Sequence, residues 1–324
     1  GYEVLSELEK QEHPAPMLSL DKTKEVGALV TWLGNHEGVL SWKLDGLTVV
    51  LTYENGELKN ALTRGNGEIG EVITNNAKTF VNVPKKIPYQ GNLVLRGEAV
   101  IKYSDFNRMN AEIAEAEEKY KNPRNLCSGS VRQLNNEITA KRHVHFYAFA
   151  LVADVLSKEQ IKEAGYGNTM TGRFAWLRKQ GFDVVEHFVV TKDTLEDQVM
   201  DFAARIPDND IPSDGLVLSY NDIAYGKSLG RTAKFPRDSI AFKWADEQAE
   251  TTLTEVEWSP SRTGLINPVA VFEPVELEGT TVTRASLHNV SILRALGLGI
   301  GDKITVYKAN MIIPQVAENL TRSN

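Results

Sequence analysis

The sequence predicts an α+β fold, antiparallel sheets with flanking helices, followed by a small all-β barrel. Over the first 250 residues, alternating runs rich in Val, Leu, Thr and Tyr are interleaved with segments of helical composition. Asn55-Gly56 between two such runs is the signal of a tight hairpin, hence of antiparallel pairing. Beyond Glu250 only short strands remain, at Thr252–Trp258, Val269–Phe272, Thr281–Thr283 and Lys303–Tyr307. Gly264, Pro268, Pro274, Gly279 and Gly301 punctuate them, which is a small-barrel pattern. The boundary falls at 246–254, giving domains at 1–250 and 251–324.

In chain order, Gly1 to Gln11 reads as the end of a helix, with Val4, Leu5 and Leu8 apolar, and His13-Pro14-Ala15-Pro16 breaks it. A second helix, roughly Thr23 to Leu33, is capped by Asp21 or Thr23. Strands follow at Val39–Leu44, Leu47–Tyr53 and Leu58–Thr63, then a helix at Glu71–Val81 and a strand at Leu93–Ile101. Tyr103 to Lys119 has helical composition, and Asn122-Pro123-Arg124-Asn125 starts a short helix through Leu134. His143–Val152 is a strand, Thr171–Gln180 a helix, Val184–Val190 a strand and Leu195–Arg205 a helix. Strands at Gly215–Ser219 and Ile240–Trp244 flank a Gly- and Lys-rich loop with a short helix.

Composition narrows the function classes. No apolar run approaches the roughly 20 residues that span a bilayer, and no signal-peptide pattern opens the chain, so no membrane partner is expected. A single cysteine, Cys127, excludes an intrachain disulfide and any multi-cysteine zinc site, and fits a reducing cytoplasm. The net charge of −7 is acidic, yet two windows are locally basic. One holds Lys119, Lys121, Arg124, Arg132, Lys141 and Arg142; the other holds Lys227, Arg231, Lys234, Arg237 and Lys243.

The chemistry centres on Lys43. Leu40, Trp42 and Leu44 share one strand parity and face the core, which points Lys43 and Ser41 the other way. Arg96 and Glu98 share a strand face, as do Ala241 and Lys243, and Gly65 and Gly67 around Asn66 let backbone approach closely beside Arg64. A lysine nucleophile must be neutral, and only roughly four in ten thousand are at pH 7 when unperturbed. A second cation nearby, Lys243 or Mg²⁺, favours the neutral amine and stabilises phosphate charge. Glu98 can bind a ribose hydroxyl or a metal, and Asp45 can orient the lysine or a metal-bound water. The set fits nucleotidyl transfer through a lysyl phosphoramidate better than hydrolysis. No P-loop or Rossmann glycine motif is present.

Lys43-Leu44-Asp45-Gly46 resembles the K-x-D-G motif of covalent nucleotidyltransferases, the DNA ligases, RNA ligases and capping enzymes. Longer signals resemble the bacterial NAD-dependent DNA ligases: Pro16-Met17-Leu18-Ser19-Leu20-Asp21, Thr63 to Gly67, Arg96-Gly97-Glu98, and Asn122 to Leu134. Asp214-Gly215-Leu216-Val217 and Ala241-Phe242-Lys243 match later motifs. Arg262-Thr263-Gly264, Pro268-Val269-Ala270, Leu287-His288-Asn289, Gly301-Asp302-Lys303 and Ile312-Ile313-Pro314 resemble the OB-fold of the same ligases.

The resemblance implies a nucleotidyltransferase (ATP-grasp-like ligase) domain followed by an OB-fold. It implies that Lys43 takes AMP from NAD, with Asp45 and Lys243 beside it in catalysis and Lys243 on the α-phosphate. Ser19, Leu20 and Val217 then lie against the adenosine, and Arg64 and Glu98 at its ribose and phosphate. Arg124 and Arg132 are expected on the DNA, and no residue is assigned as a metal ligand. Expected partners are NAD or AMP, Mg²⁺ and nicked double-stranded DNA, for a cytoplasmic monomer. An ATP-using polynucleotide ligase relative and a catalytically impaired DNA-binding scaffold are the alternatives.

Three positions depart from the family pattern: Ser41 stands for Glu, Asn66 for Asp and Ser219 for Lys. A coordinated exchange is expected, with Lys227 or Lys234 supplying the missing cation. Of the family's helical domain for the nicotinamide mononucleotide half of NAD, only the last helix has room in Gly1 to Gln11, and counterparts of its zinc-finger, helix-hairpin-helix and BRCT regions are not expected in this sequence. A fragment of a longer ligase is therefore expected, one that binds AMP yet reacts with NAD slowly or not at all.

Overall fold

The strand that carries Lys43 lies inside a five-stranded sheet. Its strand order is Asp21–Thr23, Ser239–Phe242, Ser213–Tyr220, Gly38–Leu44, His187–Val190. The first pair is parallel and the others antiparallel. The computed structural model describes residues 1–154, 156–244, 248–260, 266–277, 279–287, 290–309 and 313–321. The chain forms two units, Gly1–Lys243 and Trp244–Asn324.

A second, fully antiparallel sheet in the first unit has the order Glu57–Thr63, Leu47–Glu54, Leu93–Val100, His145–Leu151. The two sheets are joined at Asp45-Gly46, between the end of one strand at Leu44 and the start of the next at Leu47. The expected hairpin is present: Asn55 and Gly56 both have positive φ, 52° and 76°, as a two-residue turn between twisted strands requires.

Alternation decides which way Lys43 points. Leu40, Trp42 and Leu44 are buried, and Trp42 meets Phe202 of the helix Leu195–Arg205 edge to face at 4.8 Å. Ser41 and Lys43 lie on the other face and are half-buried. The helix Val26–Leu33 buries Leu29 and Leu33, and Trp32 stacks on Tyr220 at 4.1 Å.

Several expected elements are different. No helix occupies residues 1–11; Lys10–Glu12 is a strand paired with Ile69–Glu71, and the Leu5 N–H donates to the Leu134 carbonyl. The helix expected at 71–81 is a single turn, Thr74–Ala77. There the buried Asn76 amide donates to the carbonyls of Val131 and Gln133, a tertiary demand that outweighs local composition. The helix from Tyr103 stops at Ala111, because Asn110 exchanges two hydrogen bonds with the Tyr120 backbone and turns the chain back. Neither Asp21 nor Thr23 caps the next helix: residues Asp21–Thr23 pair as a strand, and Glu25 is the N-cap. The helix Lys158–Ala164, opened by a Ser157/Gln160 capping box, was not anticipated.

The second unit pairs its five strands in the order Thr280–Ser286, Ile266–Leu277, Gln248–Pro260, Lys303–Ala309, Ile313–Asn319. Leu253, Phe272, Leu277, Leu287, Ile304 and Val306 are in its core. The helix Val290–Leu296 and the last strand were not expected from sequence. Asp302, 1% exposed, accepts from the Gly299 N–H and the Asn319 amide, which gives the Gly-Asp-Lys segment a structural role. The motif residues Arg262, Thr263, Gly264, His288, Asn289 and Ile312 lie outside the described residues.

Candidate active site

Lys43 and Lys243 converge on one carboxylate. Lys43 Nζ donates to Asp214 Oδ1 at 3.2 Å, and Lys243 Nζ lies 3.6 Å from Asp214 Oδ2. The Lys43 side chain keeps 30% of its surface exposed and Lys243 10%, so the first is open to a ligand and the second lies deeper. Asp214 reaches both because the Ser213–Tyr220 strand bulges between Ser213 and Leu216. Gly215 makes the bulge possible. Its φ is 149°, and a Cβ there would sit 2.1 Å from the Phe242 carbonyl oxygen. Two ammonium groups and one carboxylate leave a net positive charge, suited to a phosphate.

The glycine of the K-x-D-G motif has a steric cause. A Cβ on Gly46 would lie 1.9 Å from the Ala99 carbonyl oxygen, so only glycine lets the turn pack on the Leu93–Val100 strand. That approach allows Glu98 to accept from the Gly46 N–H at 3.1 Å and from the Thr48 hydroxyl at 2.7 Å. Burial pushes the Glu98 carboxyl up to about 7, with Thr48, Gly46 and the charge of Lys43 pulling the other way. Asp45 faces Arg124, whose Nε is 3.4 Å from Oδ1. Arg124 sits in the first turn of the helix Pro123–Val131, where Asn122 caps the Asn125 N–H and proline opens the helix.

Arg64, Ser19 and Asn66 form one clasp. The Arg64 guanidinium donates to Ser19 Oγ at 2.8 Å, and His13 Nε2 lies 2.8 Å from the Arg64 carbonyl oxygen. Asn66 Oδ1 accepts from the N–H groups of Glu68 and Ile69 at 2.9 and 2.8 Å. A carbonyl oxygen does here what an aspartate oxygen does in such a turn, so Asn66 keeps the loop's geometry without its charge. Gly65 and Gly67 have φ of 58° and 93°, and the Met17 N–H donates to the Gly67 carbonyl, tying the clasp to the segment that ends in Ser19 and the half-buried Leu20.

Val217 lies between Ser41 and Ala241 in the register of three strands, on the same face as Lys43. Where the family pattern has a lysine, Ser219 Oγ meets Ser239 Oγ at 2.7 Å. Lys227, expected as a replacement cation, has its ammonium on Asp154, and Lys234 is exposed on its loop. Arg132 pairs with Glu71 at 2.8 Å. Asp214 had no role assigned from sequence; the signal available was an Asp-Gly pair opening a strand. Ser239 left no local signal, since only strand register brings it to Ser219.

The carboxylates around Lys43 do not make a metal cage. Asp214 is shared by two lysines, Asp45 is engaged by Arg124, and the two Glu98 oxygens accept from Gly46 and Thr48. Among the described residues no group of three His, Cys, Asp or Glu side chains could hold a metal ion.

This geometry coincides with strong similarity to known proteins. The family model of the NAD-dependent DNA ligase adenylation domain matches residues 5–247, and that of the NAD-dependent DNA ligase OB-fold domain matches residues 250–324. A DNA ligase of Lachnoclostridium phytofermentans is 67% identical over 323 residues, covering 100% of this chain and 48% of that protein. One of Ruminiclostridium cellulolyticum is 63% identical with the same coverage, and one of Leptospira interrogans is 36% identical over 99% of this chain and 46% of the ligase. The chain thus spans about half the length of the curated relatives it matches. With the adenylation-domain match containing Lys43, Asp214 and Lys243, and the OB-fold match following it, the chain belongs to the NAD-dependent DNA ligase family.

Proposed function

We propose that this chain is the nucleotidyl-transferring part of a DNA ligase that uses NAD, and that Lys43 is the residue adenylylated. The observation that carries this reading is the convergence of Lys43 and Lys243 on Asp214. The Lys43 nitrogen forms a bond to the α-phosphorus of NAD, the bridging P–O bond breaks, and nicotinamide mononucleotide leaves with that oxygen. The amine gives up its proton, for which Asp214 Oδ1 at 3.2 Å is an acceptor in place. Lys243 meets charge on the α-phosphate. AMP then passes to the 5′-phosphate at a nick, and the 3′-hydroxyl displaces it.

Around this step, Ser19, Leu20 and Val217 bed the adenosine, and Arg64 and Glu98 hold the ribose and phosphate side. Asp45 orients the motif turn and keeps Arg124 facing it, and Arg124 and Arg132 contact the DNA backbone, with binding that weakens as salt rises. The residues present do not fit a resident divalent cation; Mg²⁺ arrives on the nucleotide's own phosphates, the habit of an ion that keeps several waters. No helix of the described residues is long and apolar enough to cross a membrane, and we read the protein as a cytoplasmic monomer acting on nicked double-stranded DNA.

The test is a mass-mapped adenylyl adduct. Incubation with NAD, of this chain alone and joined to the remaining segments of its relatives, is expected to place AMP on Lys43 and not on the Lys43→Ala protein. An adduct from ATP alone would instead favour an ATP-dependent relative. No adduct from either donor in the joined protein would overturn the reading.

A further inference from the structure

The turn that carries Arg64 is fastened by a residue far from it in sequence. Lys10–Glu12 pairs with Ile69–Glu71, and just beyond that pairing the His13 N–H donates to the Glu68 carbonyl at 2.8 Å. The His13 ring then reaches across the turn, with Nε2 2.8 Å from the Arg64 carbonyl oxygen. A carbonyl oxygen only accepts, so Nε2 carries the proton and donates. Gly70 opens the path: a Cβ there would sit 3.0 Å from His13 Nε2 and 1.9 Å from the Thr63 carbonyl oxygen.

That bond is the ring's single hydrogen bond among the described residues. Nδ1 is buried without a partner, in a corner lined by Pro14, Ala15, Val50, Val94 and Val152 beside the Arg96 side chain. An apolar side chain would fill such a corner at lower cost, because a buried nitrogen without a partner has lost its hydration. The imidazole is therefore explained by the one bond it makes. The Arg64 carbonyl also accepts from the Gly67 N–H at 3.0 Å, and the Arg64 N–H donates to the Thr48 carbonyl at 3.2 Å. These bonds fix the Arg64 backbone, and from that fixed point its guanidinium reaches Ser19 Oγ. Arg96 donates to the Pro16 carbonyl at 3.3 Å, which holds the chain between His13 and Ser19 at a second point.

We propose that His13 is a positioning residue for nucleotide binding. Its Nε2–H fixes the Arg64 backbone, and with it the direction of the guanidinium assigned above to the ribose and phosphate of the adenylate. The proposal rests on that adenylate reading. His13 touches no part of the nucleotide and acts through Arg64.

Calorimetric titration of the chain with AMP tests this without turnover. His13→Ala is expected to weaken AMP binding roughly five- to tenfold, the scale of one lost hydrogen bond. His13→Gln, whose amide can place a donor where Nε2 stands, should recover the affinity to within about twofold. In an Arg64→Ala background, His13→Ala should change the affinity by less than about twofold, because no guanidinium remains to be aimed. Unchanged affinity in folded His13→Ala, equal weakening in both backgrounds, or no recovery by glutamine overturns the proposal and leaves the adenylate reading in place. Failure of the unmodified chain to bind AMP removes that reading instead. Where His13→Ala does not fold, long-range proton–nitrogen correlation of the histidine rings decides. The His13 signal, assigned by its loss in His13→Gln, should show the proton on Nε2, and a ring protonated on Nδ1 alone overturns the proposal.

Discussion

Lys43 and Asp214 are 171 residues apart in sequence, and their side chains meet at 3.2 Å only because the Asp214 strand bulges beside its lysine neighbour. Asp214 also lies 3.6 Å from Lys243, so one carboxylate sets the spacing of both ammonium groups.

Asp214→Asn keeps the size of the side chain and removes the charge that holds the two lysines. Lys43 adenylylation should slow by about a hundredfold, the usual scale for losing one preorganised electrostatic partner. Single-turnover adduct formation measures this. A rate within threefold of the unmodified chain would show that Asp214 does not position the nucleophile.

Glu98 predicts a pH-dependent stability. Its folded-state carboxyl, near 7, is above the ordinary value of 4.5, so between those values the folded chain holds a proton that the unfolded chain has lost. Stability from this group is full below about 4.5 and falls as pH rises through 7, by about 3 kcal/mol in total. Urea unfolding at pH 5 and pH 8 should show a smaller drop for Glu98→Gln than for the unmodified chain.

Gly46→Ala places a methyl 1.9 Å from the Ala99 carbonyl oxygen, a backbone atom that cannot swing aside. Destabilisation of about 3 kcal/mol or more is expected, at the upper end of overpacking costs. Thermal or denaturant unfolding reads the effect directly, and a change under 1 kcal/mol would refute the steric account of the motif glycine.

Asn66→Asp should leave stability within about 0.5 kcal/mol, because either side-chain oxygen can accept from Glu68 and Ile69. Asn66→Ala removes the acceptor and should cost about 1–2 kcal/mol. Equal losses in both variants would show that the amide nitrogen, and not the carbonyl oxygen, is what the turn requires.

How far the fold was legible follows from the range of the forces involved. The direction of Lys43, the Asn55-Gly56 turn and the Asn122 cap were readable because each depends on neighbours within a few residues: strand parity, positive φ, one capping bond. Residues 1–11 misled because Val4, Leu5 and Leu8 have a helix-like spacing, whereas pairing with Ile69–Glu71 and Leu134 decided their conformation. At the site, strand parity could find Glu98 and Lys243 but could not pass through the bulge that delivers Asp214.

The sequence by itself determined the motif lysine, the turn glycines behind it and the succession of ligase-like signals that end in a β-rich tail. The tertiary structure alone decided that Lys43 and Lys243 share Asp214, and that Ser219 finds Ser239 across a strand pair. Those relationships depend on register between distant strands, set by packing and backbone pairing over the whole sheet, and no local stretch of residues encodes them.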